Sequence, residues 1–332
     1  MKAQIDPAVY QAGHQSAILV DRSDLGMLRI QGESRLDLIH RMSTQNVRGL
    51  QPGEGAATIL TTDVGRMVDR LILYAAPDTV YALTGENNSD VIARYLMRFV
   101  FFNDDFHIQD ISKQTAIFAV YGPRARHILG EEVGFPEVDI PLHHWREAEV
   151  GGVTAYLHRT DPINGDGYFV MCEMANRDAL AGALRGAGLV EADDAAFDLL
   201  RIEAGQPRFG HEITGEYIPL EAGLWNDVSF NKGCYTGQEI IARMESRGKI
   251  AKQLVRLTVD TTMAEGQEIQ TGTKTVGTIT SVAHADHRMI GIGYIKSAVL
   301  AEPAPLSVAG QQLQILSSAG SGETEIASLQ EN

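Results

Sequence analysis

Apolar residues return every three or four positions in four stretches of this 332-residue chain. Leu36, Ile39 and Met42 do so over Ser34–Met42, with Ser34 as a candidate N-cap, and Ile92, Leu96 and Phe99 do so over Ser89–Val100. Leu180 and Leu184 share a face over Asn176–Ala187, which stops at Gly188. Phe197, Leu200 and Ala204 share one over Asp194–Ala204, capped by Asp193 or Asp194 and stopped at Gly205. This is the period of an amphipathic helix, bounded by residues that start or end one. Between them Leu71–Tyr74, Val80–Leu83, Ile117–Val120 and Tyr168–Met171 have the length and composition of strands. Helices and strands interleaved in this way predict an α+β or α/β region over about the first 245 residues.

From Lys252 onward the period falls to two. Val255, Leu257 and Val259 alternate with Arg256 and Thr258, and Thr275–Val282 and Met289–Ile295 follow, rich in Thr, Val, Ile and Gly. No helical period appears there, so a small all-β domain, sandwich or barrel, is expected. The Ser/Gly/Glu-rich end from Ser317 reads as a disordered tail. The boundaries are therefore 1–248, 249–316 and 317–332.

Charge and composition narrow the function. Lys and Arg number 28 against 43 Asp and Glu, a net −15, which argues against a DNA or RNA binder needing a basic surface. Within that acidic total, Lys232–Lys252 holds five basic residues and two acidic ones, a local stretch suited to an anionic small molecule. Two cysteines, Cys172 and Cys234, cannot build a disulfide framework. Residues 1–20 lack the apolar core of a signal peptide, and no run approaches the ~18 apolar residues of a membrane span. A cytoplasmic protein, monomeric or weakly associating, is expected, with no DNA or membrane partner.

The most unusual stretch is Lys232-Gly233-Cys234-Tyr235-Thr236-Gly237-Gln238-Glu239, after which Ile240, Ile241 and Met244 predict a helix ending at Gly248. A cysteine near a helix start and two residues from a lysine is where a thiol pKa is lowered. A reactive thiol, an anion-holding loop and a small buried cysteine in a tight turn all fit. Cys172, in the apolar run Phe169–Cys172, reads as core. Glu203 falls in the last turn of its helix, where the dipole disfavours a carboxylate; it is either a binding residue or a solvated glutamate. His284, Asp286 and His287 read as a turn rather than a metal site, and His143 and His144 are further histidines elsewhere in the chain. No nucleophile elbow, Walker A or dinucleotide fingerprint is present, and Gly291 and Gly293 read as part of a strand.

On Lys232–Glu239, a match to the signature K-G-C-Y-x-G-Q-E, the chain resembles the YgfZ family, folate-binding relatives of the glycine-cleavage T-protein (aminomethyltransferase). The Arg-x-Glu-Ala-Gly…Pro…Gly-x-Glu run at Arg201–Glu212 and the opening Asp21-Arg22-Ser23…Gly26…Gly32…Leu38 are similar to the wider superfamily. The resemblance implies an α+β fold with three lobes around a central hole. Two ferredoxin-like lobes lie in 1–248, the β-barrel in 249–316, and tetrahydrofolate or a one-carbon derivative in the hole. By position Glu203 resembles the family glutamate on the pterin, whose adjacent N–H donors one carboxylate can accept. Lys232, Tyr235, Gln238 and Arg243 are further candidates for holding folate, Lys232 and Arg243 through its anionic tail.

Where the T-protein carries paired aspartates, this chain has Asp69 and then Arg70. Asp69 is the candidate catalytic carboxylate, and Arg70 is expected to salt-bridge it. The YgfZ resemblance implies support of iron–sulfur cluster assembly or repair, including in tRNA-modifying enzymes. Cys234 is then the functional thiol, and assembly proteins or client enzymes are the partners. Two cysteines are too few to hold a stable cluster alone. A folate-dependent aminomethyl or methyl transferase is the alternative.

Overall fold

The computed structural model describes residues 5–248, 250–285, 288–302 and 304–320. They fold as two compact units. The described parts of Met1–Leu60, Asp69–Phe197 and Asn231–Tyr235 make one, and those of Thr61–Val68, Asp198–Phe230 and Thr236–Asn332 the other.

The first unit opens on α1 (Pro7–Gln15), a helix the apolar pattern did not reveal. Asp6 caps it by accepting from the Ala8 N–H at 2.8 Å, and Pro7 occupies its first turn. Next come β1 (Ile18–Asp21), β2 (Leu25–Gln31), α2 (Arg35–Met42), β3 (Gly55–Thr61), β4 (Met67–Ala75), β5 (Thr79–Glu86), α3 (Ser89–Met97) and β6 (His107–Asp110). The unit continues with β7 (Thr115–Gly122), α4 (Ala125–His127), β8 (Trp145–Val150), β9 (Val153–Arg159), β10 (Asp166–Glu173), α5 (Arg177–Gly186) and β11 (Val190–Ala192). Five strands pair in the order β3-β4-β5-β2-β6 and six in the order β11-β1-β7-β10-β9-β8.

Helices α2 and α3 pack on the five-stranded sheet through Leu38, Ile39, Ile92 and Leu96, all fully buried. Helix α5 packs on the six-stranded one, where Leu180 and Leu184 share a core with Phe118, Val170 and Cys172. Burying each such side chain is worth about 1.5–3 kcal/mol. The remaining faces of the two sheets meet. The rings of Tyr74 (β4) and His158 (β9) lie 4.0 Å apart, Trp145 (β8) stacks on His158 at 5.9 Å, and its Nε1 donates to the Ala75 carbonyl at 3.0 Å.

The second unit includes the last turns of α6 (Asp194–Ala204), then α7 (Gln238–Arg247) and a closed barrel. The barrel strands are β12 (Lys252–Val259), β13 (Glu268–Thr271), β14 (Lys274–Ala285), β15 (Arg288–Lys296), β16 (Leu306–Val308) and β17 (Gln311–Ser318), in the order β12-β15-β14-β13-β16-β17. Closure decides between the barrel and the sandwich. The period-2 residues Val255, Leu257 and Val259 all face its core. Gly291 and Gly293 sit in β15, as expected, because added Cβ atoms would lie 2.6 and 2.7 Å from the Ser281 and Thr278 carbonyl oxygens.

Two details differ from the sequence pattern. A one-turn helix, α8 (Ser297–Leu300), interrupts the all-β segment. β17 also runs two residues past the expected 316 boundary, pairing Ser317 and Ser318 with Arg256 and Val255. The rest of the expected tail, 321–332, lies outside the described residues. The α+β class, with ferredoxin-like sheets and an all-β barrel, is the observed fold. Among the described residues no helix is long and apolar enough to cross a membrane.

Candidate functional site

The Lys232–Tyr235 half of the signature belongs to the first unit and is anchored there by its lysine. The Lys232 ammonium, 8% exposed, donates to the carbonyls of His40, Ser43 and Gln45 at 2.6, 2.7 and 2.9 Å. These oxygens lie at the C-terminal end of α2, where the dipole favours a cation. Nζ is also 5.0 Å from the centre of the Tyr235 ring. Burial, with Arg48 nearby, pulls the Lys232 pKa down to about 8, and burial pushes the Tyr235 hydroxyl up to about 12. The expectation that Lys232 offers its charge to an anionic ligand is thereby corrected, since its donors are all engaged by backbone. Between these two anchored residues the Cys234 thiol is exposed, whereas Cys172 is buried and burial pushes its pKa up to about 11.

The Thr236–Glu239 half belongs to the second unit. The Thr236 carbonyl accepts from the Thr61 hydroxyl. Gly237 has φ +82°, and a Cβ there would lie 2.8 Å from the Gly65 Cα, so glycine is required on both counts. Gln238 begins α7, which ends at Gly248 as predicted. Arg243 forms an i,i+4 pair with Glu239 at 2.6 Å while 46% exposed, a solvated contact of little weight.

Asp69 and Arg70 do not pair with each other. Adjacent residues of a strand point to opposite faces, and β4 sends these two apart. Asp69, 0% exposed, accepts from the Asn88 side chain, the Gly85 N–H and the Arg70 N–H at 2.8, 2.9 and 2.7 Å. Burial raises its pKa to about 6 against the pull of those three donors. Arg70 instead meets Asp161 at 2.8 Å, across the space between the sheets. Burial pushes the Asp161 carboxyl up, but Arg70 and then His143 outweigh it and hold the group below its usual value. Nearby in the same unit Arg22 bonds Glu86 at 2.7 Å and lies 4.5 Å over the Phe197 ring. Asp161 carried no motif and was invisible in the sequence.

In the second unit the Arg201–Glu212 run forms a buried ionic network. Arg201, 1% exposed, bonds Asp198 at 2.7 Å, Glu212 at 2.8 Å and the Ser281 hydroxyl at 2.6 Å. Glu212, 0% exposed, also accepts from Thr280, Ser281 and the Arg208 N–H, and its carbonyl accepts from the Tyr294 hydroxyl. Ser281, Thr280 and Tyr294 lie on barrel strands, so these motif residues fasten the segment after α6 to the barrel. Glu203 is half-buried, and its carbonyl accepts from Arg256.

A family model described as the GCVT N-terminal domain matches residues 7–232. The chain belongs to the GCVT, or aminomethyltransferase T, family. It is 28% identical over 293 residues to a putative chloroplastic transferase of Arabidopsis thaliana, covering 88% of this chain and 68% of that protein. It is 31% identical over 258 residues to the aminomethyltransferase of Moorella thermoacetica, covering 75% and 69%. The crystal structure of the glycine cleavage system aminomethyltransferase T from Bartonella henselae shares the fold, with a TM-score of 0.81 over 95% of this chain and 88% of that one at 20% identity.

Within this GCVT chain the candidate residues fall into two groups. Lys232, Tyr235 and Asp69, with Cys234, lie in the first unit, and Glu203, Gln238 and Arg243 lie in the second. Among the described residues no group of three or more His, Cys, Asp or Glu is placed to hold a metal ion. Of the His284–His287 set, Asp286 and His287 lie outside the described residues.

Proposed function

We propose that this GCVT-family chain binds tetrahydrofolate or a one-carbon derivative and, acting in the cytoplasm as a monomer, supports assembly or repair of iron–sulfur clusters, including those of tRNA-modifying enzymes. The observation that carries this reading is Cys234, an exposed thiol between two residues, Lys232 and Tyr235, that are themselves buried. A surface thiol held on an anchored backbone suits transient contact with iron, sulfur or a partner's thiol. The folate part is supported by the relatives named aminomethyltransferases and by the donor set. Glu203 would accept from the pterin N–H groups, Gln238 can both donate and accept, and Arg243 would meet the anionic tail. The Arg201 guanidinium two residues before Glu203 is engaged by Asp198 and Glu212. When bound, the folate would supply a carrier for a one-carbon unit.

The alternative, an aminomethyl or methyl transferase, draws on the Asp69 carboxyl, whose pKa burial raises to about 6, within reach of proton transfer near neutral pH. Weighing against it, Asp69 is sealed from solvent and the next position is a guanidinium turned toward Asp161.

Calorimetry with tetrahydrofolate on the wild type and Glu203→Ala tests the folate claim, and no binding by the wild type would sink it. In cells, Cys234→Ala should lower cluster-enzyme activity while folate affinity is kept. Wild-type behaviour of that variant would remove Cys234 from the reading. Turnover of an aminomethyl donor by the purified protein would favour the transferase.

A further inference from the structure

The first unit holds a cavity of about 530 Å³ between its two sheets, and none of the candidate site residues lines it. Neither Arg70 nor Asp161 lines it, and its walls come from β2, β5, β8, β9 and the far end of β10. The volume lies in the range that takes a small organic molecule.

One wall is aromatic. β8 and β9 set Trp145, Tyr156 and His158 side by side, with Trp145 at 5.9 Å from each of the other two rings, and Tyr81 lines the facing sheet. His158 is uncharged at neutral pH because burial pulls its pKa down to about 3, so it adds no charge to this wall. Aromatic faces at these spacings favour a planar ring. The charged lining is cationic on balance, Arg29 and Lys113 against Glu173, in a chain of net −15. Arg29 donates through Nη2 to Gln109, but its Nε is buried with no hydrogen-bond partner among the described residues. A buried guanidinium donor left in that state is costly, and an anionic oxygen is the acceptor that satisfies it best.

We propose that this cavity is a binding site for a small planar aromatic anion, its ring against the Trp145–Tyr156–His158 wall and its carboxylate or phosphate on Arg29 and Lys113. The site is separate from the folate reading and does not depend on it.

The chain has two tryptophans, so Trp225→Phe in the full-length protein leaves Trp145 as the only one and as an internal reporter. This protein is titrated with flavin mononucleotide and quinoline-2-carboxylate, and with riboflavin and quinoline as their uncharged counterparts. At least one anion should quench Trp145 saturably. Arg29→Gln and the exposed Lys113→Gln should each weaken that anion about tenfold, the loss of one charge-assisted hydrogen bond, and leave its uncharged counterpart unchanged. Ala175→Phe at the exposed rim should weaken both. Saturating tetrahydrofolate should leave the titration in place.

Absence of saturable quenching by either anion up to about 1 mM, the weakest binding worth calling a site, overturns the proposal. So does equal affinity in the parent and both Gln variants. Stoichiometric displacement by tetrahydrofolate would assign the cavity to folate and overturn the separate site. Failure of folate to bind in calorimetry leaves the anion result standing, so the two readings fail independently.

Discussion

Replacing Asp69 by asparagine should change how the stability of the first unit depends on pH. Folded Asp69 keeps its proton up to about pH 6, against 3.8 for the ordinary side chain. Between those values the folded chain holds more protons at this site than the unfolded one. Wild-type stability therefore falls through Asp69 as pH rises from about 4 to about 6, and the loss is complete above that. About two pKa units at 1.36 kcal/mol each put the ionisation cost at roughly 3 kcal/mol at neutral pH. Asparagine has the same shape and cannot ionise. Its oxygen can take the Gly85 and Asn88 bonds, but its NH2 then faces the Arg70 N–H, a pH-independent cost of about 1–3 kcal/mol. The stability of the variant minus that of the wild type should thus rise by roughly 2 kcal/mol between pH 4 and pH 7, the rest of the cost falling below pH 4. Carboxyls held low elsewhere, such as Asp161, cancel in this difference. Urea unfolding followed by Trp145 fluorescence, in a Trp225→Phe background, reports the unit that contains Asp69. A difference that stays constant over this range would refute both the raised pKa and its cause in burial.

Three other outcomes are expected. Glu212→Ala removes the more deeply buried of the two carboxylates on the Arg201 guanidinium and should destabilise by about 3–5 kcal/mol; pairing Arg201→Met with Glu212→Leu should lose less, as thermal melts would record. Gly237→Ala should lower the melting temperature far more than Gly248→Ala: both have positive φ, which costs about 1–2 kcal/mol, but only at Gly237 does a Cβ meet backbone. Ellman's reagent should titrate one thiol in the native protein, Cys234, and a second only after unfolding, since Cys172 is buried.

Regular elements were legible where one face is apolar and the ends are punctuated. Asp194–Ala204 and the α7 stop at Gly248 agree residue for residue, because the cap or stop residue is itself in the chain. α3 ends at Met97 rather than Val100, ahead of a loop that leaves Phe101 and Phe102 exposed; an apolar residue does not reveal whether anything covers it. α1 was missed since Ala12 and Gly13, its buried residues, are too small to mark a stripe. At the candidate site, the motifs located Lys232, Arg201 and Glu212 but not their tasks. All three have become internal struts because each met partners from distant segments, which no local pattern encodes. The Asp69–Arg70 pair failed for a local reason, the two-residue repeat of a strand, and Asp161 was out of view some ninety residues away.

That two-residue repeat makes β4 a parity check on the chain. Asp69 and Arg70 deliver opposite charges to opposite sides of one sheet, and each side offers complementary partners, N–H donors for one and the Asp161 carboxylate for the other. Inserting or deleting a single residue within Met67–Ala75 would exchange the sides for everything downstream of the change. Where the exchange reaches this pair, the guanidinium would face the donors of Gly85 and Asn88, and the carboxylate would face Asp161. Both errors bury like against like, so a slip of one is detected twice over while a slip of two restores the sides. The strand can therefore drift by substitution, but its length is protected against odd steps by two charges that never touch through their side chains.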